Sequence, residues 1–166
     1  YKELNKSLNR EQLYQIGIAY YRKGLYGFSI NHLNKIVITK NDSLAQYAFY
    51  YLGDSYRYIE NRTEAMHAFR SASLLDTDSL IQHDAFYQFV ILCYEQNSPL
   101  YSPKEYLSKF IDKYPKSKHI DEIYSCLANI HLNTYDYDNA ISVLEQSNLL
   151  SNSIKYQYQK ICFHRG

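Results

Sequence analysis

The chain has 166 residues and a formal net charge of +1, from 18 basic and 17 acidic residues. Nucleic-acid-binding domains usually carry a clear basic excess, so the charge balance predicts no nucleic-acid partner for this domain. No apolar run approaches the roughly 20 residues that cross a bilayer, so no direct membrane insertion is predicted. With 46% hydrophobic residues the chain can bury a core, and its 5 Gly and 3 Pro leave few residues for tight turns. This composition favours long helices over many short strands.

The first two predicted elements are helices joined by a short polar turn, and a similar pair of helices follows. Gly17 and Gly53 lie 36 residues apart, and each is followed three residues later by a tyrosine. Helices that cross closely need a small residue at the crossing point, with larger residues filling the grooves on either side. We therefore expect Gly17 and Gly53 to lie at close contacts between helices.

The second helix of each pair is predicted over residues 26–37 and 63–75. In the latter segment Ala65, Phe69 and Ala72 recur at spacings of four and three, which places them on one helical face. This face is expected to pack against the next pair, because a single pair cannot cover its own apolar surface.

The third predicted pair is less regular, and a last helix follows the fourth pair. A helix is predicted over residues 80–96, where Asp76, Thr77 and Asp78 precede it as capping residues rather than as a calcium loop. Ser102 and Pro103 are typical of a helix N-terminus and predict a second helix over 104–114. The terminal helix is predicted over 151–164.

Residues 49–72 resemble the tetratricopeptide-repeat signature, which is nearly complete. The residues that carry it are Phe49, Leu52, Gly53, Tyr56, Ala65, Phe69 and Ala72. A second copy is similar through Leu13, Ile16, Gly17, Tyr20, Gly24 and Tyr26, and a further copy through Tyr124, Leu127, Ala128, Tyr137, Ala140 and Leu144. Two repeat periods separate Gly53 from Ala128, so one more pair is expected between them.

The resemblance implies an all-α fold, a right-handed α-α superhelix of about four helix pairs plus a terminal helix. The expected repeats cover residues 10–42, 46–78, 80–116 and 119–149 within a single domain spanning 1–166. Residues 1–7 are interpreted as the tail of a preceding helix. The missing initiator methionine suggests a fragment of a longer protein, whose signal or anchor would lie outside it. Its compartment, cytoplasm or bacterial cell envelope, stays open.

In such solenoids the first helix of each pair lines the concave surface, where a partner binds. Helical spacing places the following residues on that surface as candidate peptide- or protein-binding residues: Tyr14, Tyr21, Arg22, Tyr47, Tyr50, Asp54, Arg57, Tyr58 and Asn129. Ile18, Gln88, Leu92, Glu95, Ser125 and Asn133 are expected on the same surface. Tyrosine and arginine are enriched at interface hot spots, although a chain with 20 tyrosines also places them between helices. Tyr14 and Tyr50 stand where a carboxylate-clamp repeat would need basic residues, which argues against that mode of binding.

No pattern in the chain predicts catalysis, a metal site or a cofactor. The six histidines form no HExxH motif and no zinc-like cluster with the cysteines. The three cysteines, Cys93, Cys126 and Cys162, lie in apolar helical patterns and are expected to be buried and unpaired.

The leading hypothesis is a non-enzymatic scaffold that binds a protein or peptide on its concave surface. One alternative is the sensor or ligand-binding domain of a bacterial regulatory protein whose output domain is absent here. Another is an accessory domain that positions a catalytic neighbour. The flanking sequence of the full-length protein would discriminate among these hypotheses.

Overall fold

The computed structural model describes residues 8–147 and 151–165, and this part of the chain forms nine helices and no strand. The helices are α1 (Arg10–Arg22), α2 (Tyr26–Val37), α3 (Ser43–Tyr58), α4 (Arg62–Leu74), α5 (Ser79–Glu95), α6 (Pro103–Lys113), α7 (Ile120–Leu132), α8 (Tyr137–Gln146) and α9 (Asn152–Arg165). The segment 1–7, interpreted above as the tail of a helix, lies outside the described residues.

The helices belong to two compact units, Tyr1–Phe89 and Val90–Gly166. In the first unit α1 packs on α2, α2 on α3 and α3 on α4, while α1 also contacts α3. In the second unit α6 packs on α7, α7 on α8 and α8 on α9, and α7 also contacts α9. Each unit is therefore built from consecutive helices that pack in chain order. The first helices of successive pairs also touch, α1 with α3 and α7 with α9.

Side-chain caps explain where several helices begin. Asn9 forms a capping box with Gln12 at the start of α1, and the Asp42 carboxylate accepts the Ala45 backbone N–H at the start of α3. The predicted cap at Ser102 accepts the backbone N–H of the residue three positions on, and Pro103 is the first residue of α6. These groups satisfy backbone donors that have no partner inside a helix.

Each of the four turns inside a helix pair contains one residue with a left-handed backbone. These residues are Gly24, Glu60, Asn97 and Tyr135, with φ values of 72°, 62°, 43° and 58°. Their spacing of 36 to 38 residues follows the repeat period. The four turns therefore give a structural register for comparing positions from one repeat to the next.

The two glycines predicted to lie at helix crossings do so. A Cβ atom added to Gly17 would lie 2.7 Å from Cδ2 of Leu33, and one added to Gly53 would lie 2.8 Å from Cδ1 of Phe69. Both approaches are closer than carbon atoms normally tolerate. The prediction that small residues permit these contacts is confirmed.

The second-helix residues Ala65, Phe69 and Ala72 are also buried as predicted, each with 1% or less of its surface exposed. The neighbouring core of the first unit is formed by residues from α2, α3 and α4, namely Leu33, Ile36, Ala48, Leu52 and Ala68. Burial of these apolar side chains holds α1 to α4 together, at roughly 25 cal/mol for each Å² removed from water.

A buried amide fixes the turn between α4 and α5. Gln46 has no exposed surface, and the two hydrogens of its Nε2 are shared among the carbonyl oxygens of Ala72 at 3.2 Å, Leu75 at 2.5 Å and Asp78 at 3.2 Å. Its Oε1 accepts the Asp78 backbone N–H at 2.8 Å. The side chain thereby satisfies backbone groups at the end of one repeat and at the start of the next. Asp78 in turn accepts the Leu80 backbone N–H at 2.9 Å, as expected of a capping residue.

Candidate interaction surface

Eight of the nine predicted site residues lie in the first unit, on α1 and α3. Five are half-buried (Tyr14, Tyr21, Tyr47, Tyr50 and Asp54), and three are exposed (Arg22, Arg57 and Tyr58). We call the surface formed by these eight residues the tyrosine face. The ninth, Asn129, lies on α7 in the second unit.

Two apolar residues expected on exposed first-helix surfaces are instead buried. Ile18 is 6% exposed and Leu92 is 5% exposed. Helical spacing shows which residues share a side of a helix, but neighbouring helices decide how much of that side stays open. For Ile18 the predicted exposure was wrong because α1 packs against both α2 and α3.

Three tyrosine hydroxyls of the tyrosine face donate hydrogen bonds to carboxylates about one repeat further along the chain. The pairs are Tyr21 with Asp54, Tyr47 with Asp78, and Tyr50 with Asp84 at 2.6 Å. The first pair joins α1 to α3, and the other two join α3 to Asp78 just before α5 and to α5 itself. These hydrogen bonds fix the direction of each ring and satisfy each carboxylate.

The pKa values of two of these tyrosines reflect their surroundings. Burial, followed by the hydrogen bond to a carboxylate, raises the pKa of Tyr21 and of Tyr50 well above the usual range. Both phenols donate their hydroxyl hydrogen to a carboxylate. Burial is also the main cause that raises the pKa of Tyr14 to about 12.

The two arginines of the tyrosine face differ in their partners. The Arg57 guanidinium donates to Oδ1 of Asp54 at 2.5 Å and to Oε1 of Gln88 at 3.0 Å. Arg22 is exposed and has no hydrogen bond or ion pair with any residue that the structure describes. Both were predicted as candidate binding residues, and the structure distinguishes them by their partners.

Aromatic rings cluster where α1 and α3 end at their turns. Tyr26 and Tyr58 are stacked with their centroids 4.4 Å apart and their planes within 1° of parallel. Tyr21 lies edge-on to both, with centroid distances of 5.8 and 6.5 Å, and it also contacts Tyr51 at 5.1 Å. Tyr58 remains 56% exposed. Sequence reasoning missed Tyr26 and Tyr51 as members of this cluster, since neither lies on the first-helix surface that spacing defines.

In the second unit Asn129 is engaged by the terminal helix. The Gln157 amide on α9 donates to Oδ1 of Asn129 at 2.9 Å and to the Ser125 carbonyl oxygen at 3.5 Å. These bonds help to hold α9 against α7. The buried His131 of α7 contacts the carboxylate of Asp136 at 3.0 Å, and Asp136 caps α8, so this histidine supports a turn.

The described ranges 8–147 and 151–165 hold no group of three or more His, Cys, Asp and Glu side chains that could bind a metal ion. None of their helices is both long enough and apolar enough to cross a membrane.

Cys93 and Cys126 are buried as predicted, whereas Cys162 is exposed, so its predicted burial was wrong. The periodicity of α9 placed Cys162 beside Ile161, but only Ile154 and Ile161 of this helix are buried.

A family model for the tetratricopeptide repeat matches residues 47–73, the segment that contains Gly53, Phe69 and Ala72. This segment therefore matches a tetratricopeptide repeat. No curated protein matches the sequence of the chain.

Several solved structures share the fold of this chain. A crystal structure of MamA is 22% identical, with a TM-score of 0.64, and the match covers 92% of this chain and 81% of that one. MamA from Desulfovibrio magneticus RS-1 is 20% identical, with a TM-score of 0.60 and coverage of 87% and 77%. TPR-like repeats of a kinesin light chain from Podosopora anserina are 12% identical, with a TM-score of 0.60 and coverage of 91% and 84%. The predicted fold class, an all-α solenoid of tetratricopeptide-like helix pairs, is confirmed.

Proposed function

We propose that this repeat protein is a non-enzymatic module that binds a protein or peptide on the tyrosine face of its first unit. Tetratricopeptide repeats generally mediate protein–protein interactions, which supports a protein partner. The single observation that carries the choice of surface is the ring of Tyr58, which stacks on Tyr26 and yet remains 56% exposed. An exposed aromatic ring already held in place binds at a low entropic cost.

The hydrogen bonds of the tyrosine face support this proposal. Tyr21, Tyr47 and Tyr50 each donate to a carboxylate of a neighbouring repeat, so their rings are held before a partner arrives. A surface that is already ordered loses little side-chain freedom on binding. We therefore propose that these hydroxyls position the rings, while the ring faces contact the partner.

The same bonds favour binding over catalysis. A nucleophile or general base must be able to release or accept a proton near neutral pH. Burial and the carboxylate bonds raise the pKa of Tyr21 and of Tyr50, which moves the titration of both phenols further from neutral pH. Asp54 and Asp84 already accept hydrogen bonds from these phenols. This arrangement favours a surface for recognition, and we propose no enzymatic activity.

The proposal can be tested with peptides selected from a random displayed library on the intact chain. Tyr58→Ala is the informative variant because its ring is exposed, whereas Tyr50 also contacts the core ring of Phe69 at a centroid distance of 5.7 Å. We expect Tyr58→Ala to weaken binding of a selected peptide by about tenfold or more, as for an interface anchor. Tyr156→Ala is the matched control, since Tyr156 is 71% exposed on α9 in the other unit, and we expect less than a twofold change.

Two results would contradict the proposal. The first is a selection that yields no peptide able to bind the folded chain. The second is a set of peptides whose affinity falls with Tyr156→Ala but not with Tyr58→Ala, since binding would then occur on the second unit. Circular dichroism of each variant establishes that the helices remain folded.

A further inference from the structure

The charged side chains of the tyrosine face and its α5 neighbours are largely paired with one another. Asp54 accepts from Tyr21 and from Arg57, and Asp84 accepts from Tyr50. These carboxylates and the Arg57 guanidinium already have partners inside the protein. A ligand that engaged them would first have to break those bonds, which makes them poor anchors.

Arg22 is the exception, and its neighbourhood is aromatic. It lies in the last turn of α1, two residues before the left-handed residue Gly24, as Tyr58 lies two residues before Glu60. Arg22 and Tyr58 therefore occupy equivalent positions on adjacent first helices. Tyr21, which precedes Arg22, lies 6.5 Å from Tyr58 between ring centroids. The end of the tyrosine face near the turns thus combines an unpaired guanidinium with an open aromatic ring.

The charges beside Arg22 on α1 are positive. Lys23, which follows Arg22 as the C-cap of α1, is also exposed. The exposed carboxylate of α1, Glu11, lies in its first turn. Eleven residues of helix separate Glu11 from Arg22, a rise of about 16 Å. A short ligand anchored at Arg22 therefore meets two neighbouring cations on α1, well separated from Glu11, while the exposed carboxylate that follows Tyr58 in sequence is Glu60.

We infer that Arg22 anchors a carboxylate side chain of the bound peptide, and that a large apolar side chain of the same peptide lies on the ring of Tyr58. This inference rests on the proposed function and specifies its partner: a peptide with Asp or Glu close to an aromatic or branched aliphatic residue. A guanidinium can bind a carboxylate through two parallel hydrogen bonds, which an ammonium group cannot reproduce.

The alternative role for Arg22 is local. A cation in the last turn of a helix interacts favourably with the helix dipole whatever its shape. Arg22→Lys retains that charge but loses the paired geometry, and Arg22→Gln loses both. If the role is only local, Arg22→Lys binds peptide as the unmodified chain does.

The test uses peptides selected from a random displayed library on the intact chain, measured by fluorescence anisotropy. We expect the selected peptides to carry an acidic residue within about one helical turn of an apolar one. Arg22→Gln should weaken binding about five- to tenfold at low salt, and raised salt should reduce this difference because an exposed ion pair is screened. Glu11→Gln is the matched charge control and should not weaken binding.

A double-mutant cycle decides the pairing. Replacing the acidic residue of a selected peptide by its amide should weaken binding to the unmodified chain about as much as Arg22→Gln does. The same replacement should have little further effect on Arg22→Gln itself. Arg57→Gln should still respond fully to the loss of the peptide acid.

The outcomes separate this inference from the proposed function. Peptides that depend on Tyr58 but lack acidic residues, or whose acid couples to Arg57 or to neither arginine, overturn the role of Arg22 and leave the binding surface intact. An Arg22→Lys variant with unchanged affinity also overturns it. Failure to select any peptide contradicts the proposed function itself.

Discussion

The close approach of α3 and α4 at Gly53 makes a quantitative prediction about stability. A Cβ atom at this position would lie 2.8 Å from both Cδ1 and Cγ of Phe69 and 2.9 Å from Cδ2. Carbon atoms pack best at about 3.5–4.0 Å, so the atoms must separate by about 0.7 Å or more. Phe69 is 1% exposed, which leaves its ring little room to move. Overpacking of this kind typically costs about 1–3 kcal/mol.

The matched control is Gly27→Ala. Gly27 lies within α2, and a Cβ atom there would meet nothing within 4 Å. Gly27 is the second residue of α2, so the substitution reports only a gain in helix propensity, of up to about 1 kcal/mol. Gly53 lies in the interior of α3 and gains about 1 kcal/mol from the same source, so we expect Gly53→Ala to destabilise the protein by about 1 kcal/mol net and to lie about 1–2 kcal/mol below Gly27→Ala.

A second substitution tests the cause. In the fourth repeat Ala128 replaces the glycine and Leu144 stands sixteen residues later, as Phe69 does after Gly53. Both Ala128 and Leu144 are fully buried. Combining Gly53→Ala with Phe69→Leu reproduces that natural combination. We expect the cost of Gly53→Ala to fall by about 1 kcal/mol in the Phe69→Leu background.

Urea unfolding followed by far-ultraviolet circular dichroism measures these differences at a fixed pH. A Gly53→Ala variant as stable as Gly27→Ala would refute the reasoning, because the clash would then cost nothing. Additive effects of Gly53→Ala and Phe69→Leu would refute the assignment of the clash to this ring.

Three further predictions follow from other parts of the structure. The Arg10 guanidinium holds the pKa of the Asp42 carboxyl well below its usual range, so the resulting stability is present above about pH 4 and is lost as the pH falls below it. Asp42→Asn, which keeps a capping side chain, should make the urea midpoint depend less on pH between about pH 6 and pH 3 than it does in the unmodified chain. The same pH dependence in both proteins would contradict this. Gln46→Leu should lower the free energy of unfolding in urea by at least about 2 kcal/mol, because it removes the partners of buried backbone groups. An unchanged urea midpoint would show that the amide is dispensable. Cys162 should be the one thiol of the folded chain that reacts readily with a chromogenic disulfide reagent, because Cys93 and Cys126 are buried and burial raises the pKa of Cys126 to about 11. Release of more than one equivalent of the chromophore before unfolding would contradict this burial.

The sequence could predict the helix pairs because their local signals agree. Small residues at Gly17 and Gly53, the apolar spacing of Ala65, Phe69 and Ala72, and the cap at Ser102 all indicate the same arrangement. Each signal reflects a short-range requirement, either a close crossing, a continuous apolar stripe or an unsatisfied backbone group. Such requirements are written in neighbouring residues and can be recognised without coordinates.

Helical spacing alone defines the set of tyrosines and arginines that the sequence predicts on the first-helix surface. It could not predict that Arg57 is paired and Arg22 is not, because the partners of Arg57 are Asp54 on its own helix and Gln88 one repeat later. Likewise, the burial of Ile18 and the exposure of Cys162 depend on which helices cover them.

For this protein the amino-acid sequence by itself determined the repeat, its period and the positions of its close crossings. Tertiary structure alone decided which side chains are engaged across repeats and which remain open to a partner. The physical reason is distance along the chain: helix formation and crossing depend on residues within one pair, whereas the bonds of Tyr21, Tyr50 and Gln46 join groups 26 to 34 residues apart.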